Sequence, residues 1–376
     1  MTNPGFEPRA GTVNLHGAKS VSSAVRGIVL SSASPDDENS SAAPAEDCVD
    51  AEIGFARPWP FLSDFGAMKI TSSGLSLVCP PIRCGRLGSP ALAFAVCSLL
   101  STLTPAWAAA PSLPMGQPYT VPTAAIELVW IPPGEFTMGS PESEESRSVD
   151  EGPQTKVTLS RGFWLGKCEL TQAQWKALGG TSIKKLFARF CAQTPAPQGE
   201  TWTFPGEDDN RPMSYMTWED AIEICRKLTQ QERAAGRLPE DWSYTLPTEA
   251  QWEYACRAGT TGAYAGELDA MAWYIGNSGN LTHPVAKKQP NAWGLYDMHG
   301  NVWEWCRDWY ADRLPGGAAT DPVGAPSGTD HVLRGGSGGY PADYCRSALR
   351  YWGAPGFCSS FVGFRLALSA VQPGAR

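Results

Sequence analysis

The sequence predicts an α+β domain with few helices and a loop-rich second half, and three observations carry that prediction. Thirty-nine glycines and 32 prolines in 376 residues mark a chain broken by many turns. Fifteen tryptophans with only 18% charged residues point to a core built on large aromatics rather than to a helical bundle. Strand-like segments then precede three short helices, each of which announces its own start. The length suits one large or two ordinary domains of roughly 100–200 residues each.

Residues 1–67 are rich in Ser, Ala, Pro and Asp with little periodicity. Such a composition buries too little apolar area to offset its ordering entropy, so this stretch reads as disordered, or as an extension upstream of a true start at Met68. Lys69, Arg83 and Arg86, the apolar run 90–103 and Ala106-Trp107-Ala108 have the charged, apolar and small-residue parts of a secretory signal, making 68–108 an export segment cut near Ala108. A short membrane anchor is the alternative, although the run falls short of the roughly 20 residues that span a bilayer. The expected location is periplasmic or secreted, with no stable membrane span after cleavage. Residues 109–125 read as a linker, 126–369 as the domain and 370–376 as a tail.

Within the domain, Ile126–Ile131, Lys156–Leu159 and Phe163–Leu165 alternate or run apolar like strands, separated by Pro132-Pro133-Gly134 and Arg161-Gly162. Thr171-x-x-Gln174, Thr217-x-x-Asp220 and Thr248-x-x-Gln251 each place a hydroxyl at an N-cap and a carboxylate or amide three residues on, so that orphan N–H groups are satisfied reciprocally. Ala221, Ile222, Cys225 and Leu228 give the second helix one buried face. The third, from Glu249 to Arg257, is expected to end on a left-handed Gly259.

Composition also excludes. A net charge of -8 provides no basic field for nucleic acid or an anionic membrane. Four histidines, none at metal-ligand spacing, and eleven cysteines without a CxxC argue against zinc, a facial iron triad and thioredoxin-type redox chemistry. An odd number of cysteines follows residue 108, so at least one thiol stays free in an oxidising compartment.

Five strings follow one another in order: Gly134–Ser140 (GEFTMGS), Leu246–Thr260 (LPTEAQWEYACRAGT), Asn291–Trp305 (NAWGLYDMHGNVWEW), Leu333–Ser337 (LRGGS) and Val362–Leu366 (VGFRL). Together they resemble the sulfatase-modifying-factor family, whose founding activity is formylglycine generation. The resemblance covers about residues 126–369 and implies a variant of the C-type lectin fold. It also implies a copper site in the enzymatic members, formed by two cysteines five positions apart. Counting forward from Gly335-Gly336-Ser337 puts that pair at Tyr340 and Cys345, while counting back from Ser347-Ala348-Leu349-Arg350 puts it at Ser337 and Ala342. Either register lacks a thiolate, so copper is not expected. Cys345 is left as the one candidate catalytic thiol unless Cys358 approaches it, and a buried or bridged Cys345 is the alternative.

The resemblance further implies calcium held by the side chains of Asp297 and Glu304 and the carbonyls of Gly300 and Val302. Two carboxylates around a glycine turn supply the hard oxygens that this ion accepts. The alternative is that Asp297 caps a turn while Glu304 pairs with Arg307 or Arg334. Trp303 and Trp305 are expected in the core or a pocket wall, and His299 on a surface loop.

Between residues 338 and 361, scaffold-like Cys345-Arg-Ser-Ala348, Arg350 and Pro355 are interleaved with Gly338, Gly339, Tyr340, Asp343, Tyr344, Tyr351, Trp352, Phe357, Cys358, Ser359 and Phe361. Aromatics, glycine and serine are what paratopes use, so the segment resembles the variable region of retroelement-diversified proteins. Its aromatics are expected to be exposed. The reading is a binding protein for an unknown protein or small molecule, with Tyr340, Asp343, Tyr344, Tyr351, Trp352, Phe357, Ser359 and Phe361 in contact. The rival reading is an oxidase acting on a peptide Cys or another small substrate in the same cleft.

Overall fold

The computed structural model describes residues 111–371 apart from 197 and 200. The readings made for 1–67 and for the export segment lie outside the described residues, and the stretch read as a linker contributes the first strand.

Six strands and four helices lead into the second half of the domain. They are β1 (Tyr119–Val121), β2 (Ile126–Ile131), β3 (Gly134–Met138), β4 (Thr155–Leu159), β5 (Phe163–Gly166), α1 (Gln172–Ala177), α2 (Ile183–Gln193), α3 (Trp218–Ala234), β6 (Trp242–Thr245) and α4 (Glu249–Arg257). Two helical turns, α5 (Leu268–Met271) and α6 (Ile275–Ser278), follow. The remaining strands are β7 (Trp303–Trp309), β8 (Gly317–Thr320), β9 (His331–Arg334), β10 (Tyr351–Gly353), β11 (Val362–Gly363) and β12 (Ala367–Ala370). They form a five-stranded sheet in the order β1-β2-β5-β12-β6, a four-stranded sheet β10-β9-β7-β11 and a three-stranded sheet β3-β4-β8.

The first sheet is antiparallel throughout and separates two apolar clusters. Strand alternation assigns its residues to the two sides: on β5, Trp164 joins one cluster while Phe163 and Leu165 join the other. Trp303 and Trp305 of β7 are buried with Trp164 and Phe364, as expected of core residues.

All three anticipated helix starts form, with Thr171, Thr217 and Thr248 accepting from the N–H groups of Gln174, Asp220 and Gln251 at 3.1–3.2 Å. The reciprocal bonds return from each cap N–H to the side chain three residues on. The third helix closes one residue early, because Ala258 adopts the left-handed conformation (φ 45°) ahead of Gly259 (φ 91°). Helix α2 was not foreseen: Ser182 makes no side-chain cap bond, and the helix holds by burying Ile183, Leu186 and Phe190.

Loops dominate beyond α4, and buried arginines tie them down. Arg346 binds Glu151 and Glu144 and donates to the carbonyls of Ser146 and Asp343. Arg350 grips both oxygens of Glu249 and donates to Asp150 O and Ala311 O. Arg334 joins Glu253 to Leu349 O, and Arg257 joins Glu253 to Gly139 O and Gly262 O. No helix among the described residues is long and apolar enough to cross a membrane.

Removing one partner of such a pair leaves buried charge uncompensated, so Arg346→Met is expected to cost about 3–5 kcal/mol in chemical denaturation. Phe364, 0% exposed, should cost a similar ~3–5 kcal/mol on truncation to Ala.

Candidate functional site

The loop surface is built on β7, β9 and β10. Antiparallel pairing of β9 with both β7 and β10 sets Tyr351 opposite Leu333 and Trp305 opposite the same residue on the other side. Side chains from three segments therefore converge on Trp303. Its ring stacks on Tyr351 at 5.0 Å and takes Tyr340 and Tyr344 edge-on at 5.5 and 6.4 Å. Trp352 extends the row by stacking on Tyr310 at 4.7 Å, and Phe357 lies edge-on to Trp305 at 6.4 Å.

Two loops carry the face, and both are pinned from below. Gly338 O accepts from Ser278 Oγ at 2.5 Å, Tyr340 O from Ile275 N at 3.0 Å and Ala342 O from Tyr264 OH at 2.9 Å. On the second loop, Pro355 O accepts from Trp218 N at 3.0 Å, Ser359 O from Tyr215 N at 2.9 Å and Phe361 O from Trp303 N at 2.8 Å. The scaffold residues Cys345 to Arg350 are buried without exception. Tyr340, Asp343, Tyr344, Tyr351, Ser359 and Phe361 are partly exposed, and Trp352 and Phe357 more so at 40% and 37%.

That pattern corrects the expectation of uniformly exposed aromatics. Tyr340, Tyr344 and Tyr351 are half-buried because they double as the outer wall of the core around Trp303. Gly338 and Gly339 are structural: a Cβ on Gly338 would lie 2.5 Å from Leu281 O, and one on Gly339 2.7 Å from the Phe361 ring. Sequence reading missed Ile275 and Leu281, 41% and 50% exposed, which sit beside Tyr340 and Gly338 and enlarge the face. An apolar residue among polar and glycine neighbours was the only sequence signal for them.

Cys345 is fully buried, and burial pushes its thiol well above the usual range. Its sulfur packs under Gly336, whereas the Cys358 sulfur faces Gln193 Oε1 at 3.9 Å, so the structure does not bring these two cysteines together as ligands of one ion. All seven described cysteines are free thiols. His299, expected at the surface, is 1% exposed. Its Nδ1 donates to Cys345 O at 2.8 Å and its Nε2 accepts from Ala265 N at 3.1 Å, so it splints the loop as a neutral ring, with burial lowering its pKa to about 4.

The predicted calcium residues lie at the start of β7 and in the loop before it. Glu304 accepts from Arg365 through both oxygens at 2.6 Å and from Trp252 Nε1 at 2.7 Å, so its partner is Arg365 rather than Arg307 or Arg334. Asp297, in the left-handed conformation (φ 57°), accepts from Ala286 N at 2.8 Å through Oδ2, while its buried Oδ1 has no donor. Burial raises Asp297 to about 6. Glu169, unforeseen, is buried beside them and raised well above the usual carboxylate range by burial and by the charges of Asp297 and Glu304, although Asn301 and Val302 donate to it. Three carboxylates thus share Arg365. Among the described residues no three acidic, His or Cys side chains converge as a complete metal shell.

Truncating the exposed Trp352 or Phe357 to Ala should change stability by no more than about 0.5 kcal/mol. Tyr351→Ala should cost at least about 1 kcal/mol by losing its stack on Trp303. Melting of the three variants separates the groups.

The family model described as "Sulfatase-modifying factor enzyme 1-like domain" matches residues 115–370. Formylglycine-generating enzyme of Mus musculus is 30% identical over 298 residues, covering 65% of this chain and 76% of that protein. The formylglycine-generating enzyme of Streptomyces coelicolor is 32% identical over 319 residues, covering 71% and 95%. Among solved structures, Treponema denticola variable protein 1 superposes with a TM-score of 0.52 at 31% identity, covering 66% of this chain and 97% of that one. PvdO from Pseudomonas aeruginosa gives 0.54 at 25% identity, covering 68% and 99%.

Proposed function

The chain belongs to the sulfatase-modifying factor enzyme 1-like family, with its C-type-lectin-like fold, and from that premise we propose that it is an extracytoplasmic binding protein holding a protein or small-molecule ligand on the aromatic face of residues 338–361. The observation that carries this reading is the partition within one segment. Arg346, Ser347 and Arg350 are buried and bonded and Ala348 is buried, while Trp352, Phe357 and the partly exposed Tyr340, Asp343, Tyr344, Tyr351, Ser359 and Phe361 are presented outward. Side chains on a fixed backbone can change without disturbing the fold. Rigid aromatics give contact area at low entropy cost, which suits recognition. The likeness to a protein titled a variable protein supports retroelement-type diversification of this face.

Formylglycine-type oxidation is the weaker reading. Copper needs accessible, deprotonated sulfur, and preferably two sulfurs. Position 340 is Tyr, and burial keeps the Cys345 thiol neutral.

The coding sequence tests the proposal. Codons 338–362 are expected to recur in a near-identical, adenine-rich copy beside a reverse transcriptase, with differences confined to codons of outward-facing residues. Variation spread evenly over Arg346, Arg350 and the other buried positions would refute it. Oxygen consumption on a Cys-containing peptide, abolished by Cys345→Ser with the fold intact, would establish the oxidase instead.

Calcium is a second part of the proposal. The donorless Oδ1 of Asp297 and the excess of carboxylates over Arg365 favour a cation, which Asp297 and the carbonyls of Gly300 and Val302 would hold; Glu304 would join only by releasing Arg365. The ion would neutralise buried charge and brace the loop before β7. Chelation is expected to lower the melting temperature of the wild type and to leave that of Asp297→Ala unmoved. Equal wild-type melting with and without chelator would exclude the site.

A further inference from the structure

A cleft of about 250 Å³ opens between β7, the N-terminus of α4 and the β3-β4-β8 sheet. Met138, Val157, Leu314, Pro315 and Pro322 give it apolar walls, and Asp308 of β7 lines it. We propose that this cleft binds a primary ammonium group on a short alkyl stem, with Asp308 as its counter-ion.

Asp308 is 3% exposed and makes no ion pair among the described residues. Its Oδ2 accepts from Glu249 N, the first residue of α4, at 3.0 Å, and no donor among the described residues reaches Oδ1. The neighbouring charges are already committed. Glu249 is held by Arg350 through both oxygens and approached by Arg334 at 3.3 Å, and Arg350 also donates to Asp150 O and Ala311 O. Arg313 is exposed at the cleft, and Arg307 lies on the same strand as Asp308. The neutral Cys306 thiol, Glu249 and His331 are titratable neighbours; the His331 Nδ1 lies 3.2 Å from Asp308 O and burial lowers its pKa, while Asp308 stands at about 7 because burial, then the Glu249 charge, outweighs Arg307 and Arg350.

A buried carboxylate with one free oxygen, set in apolar walls, selects among cations. Guanidinium favours a bidentate carboxylate, and one oxygen here is taken by Glu249 N–H. Calcium or magnesium needs several oxygens, and no three acidic, His or Cys side chains converge among the described residues. An ammonium needs one strong acceptor, and its methylene stem matches the walls. Such a group could be a free alkylamine or the lysine side chain of another protein.

Calorimetric titration of the whole protein with n-butylammonium at pH 8 provides the test. Saturable binding is expected, at least about tenfold tighter than that of n-butanol, because the uncharged isostere gains nothing from Asp308. Since the ionised carboxylate binds, affinity should fall about tenfold per pH unit below about 7, with uptake of a proton on release. Asp308→Asn should weaken binding by about tenfold or more, and Arg313→Glu, at an exposed position, should tighten it several-fold. A blocked Gly-Lys-Gly peptide binding more tightly than n-butylammonium would identify a protein lysine as the source, and weaker binding a free amine. No saturation by n-butylammonium, equal affinity for n-butanol, or unchanged affinity in both Asp308→Asn and Arg313→Glu would overturn the proposal.

Discussion

The fold depends on buried arginine satisfying loop carbonyls. A chain with little regular structure past α4 leaves many backbone oxygens without helical or sheet partners, and burying them unpaired is costly. Each internal guanidinium has five donors, enough to grip a carboxylate and still reach the carbonyls of one or two loops. Helix α4 organises much of this, because Glu249 and Glu253, one turn apart, anchor Arg350, Arg334 and Arg257. Sheet and loops are thereby referred to a single helix. The arrangement explains how an irregular backbone holds a fixed shape without a disulfide among its described cysteines.

The same bonds separate permanence from variation in the recognition loop. Arg346 and Arg350 point inward to Glu151, Glu144 and Glu249, so the backbone between the Gly335-Gly336 turn and β10 is fixed by buried ion pairs. The separation is incomplete at Tyr340, Tyr344 and Tyr351, which face both the core and the outside. Change there is constrained by packing on Trp303, while Trp352 and Phe357 pack at the edge, on Tyr310 and against Trp305.

What the sequence made legible was local or periodic. The three capping boxes span four residues each, and all three formed. The alternation of scaffold and surface residues in 338–361 was visible because composition changes from residue to residue. What escaped depended on distant partners. Glu169 meets Asn301 across 132 positions, and nothing near it in the chain marks it as buried. His299 sits among polar neighbours and looks like a surface residue, yet the loop bearing it passes beneath Cys345. Helix α2 lacks a side-chain cap, so its start carried no local mark. Arg365 as partner of Glu304 could not be chosen over Arg307 and Arg334 by spacing alone.

The position of β12 bears on how the chain acquires its shape in time. The last strand lies in the interior of the five-stranded sheet, paired with β5 on one side and β6 on the other, and its Leu368 belongs to the main core. Until residues 367–370 are available, β5 and β6 have no bridge between them, and the apolar faces of both stay open. Completing this sheet therefore requires pairings of long sequence separation, the kind of contact that slows folding. A partly synthesised chain cannot close its principal sheet. The strand that closes the sheet is the last of the domain in chain order, so no shorter stretch of the domain completes it.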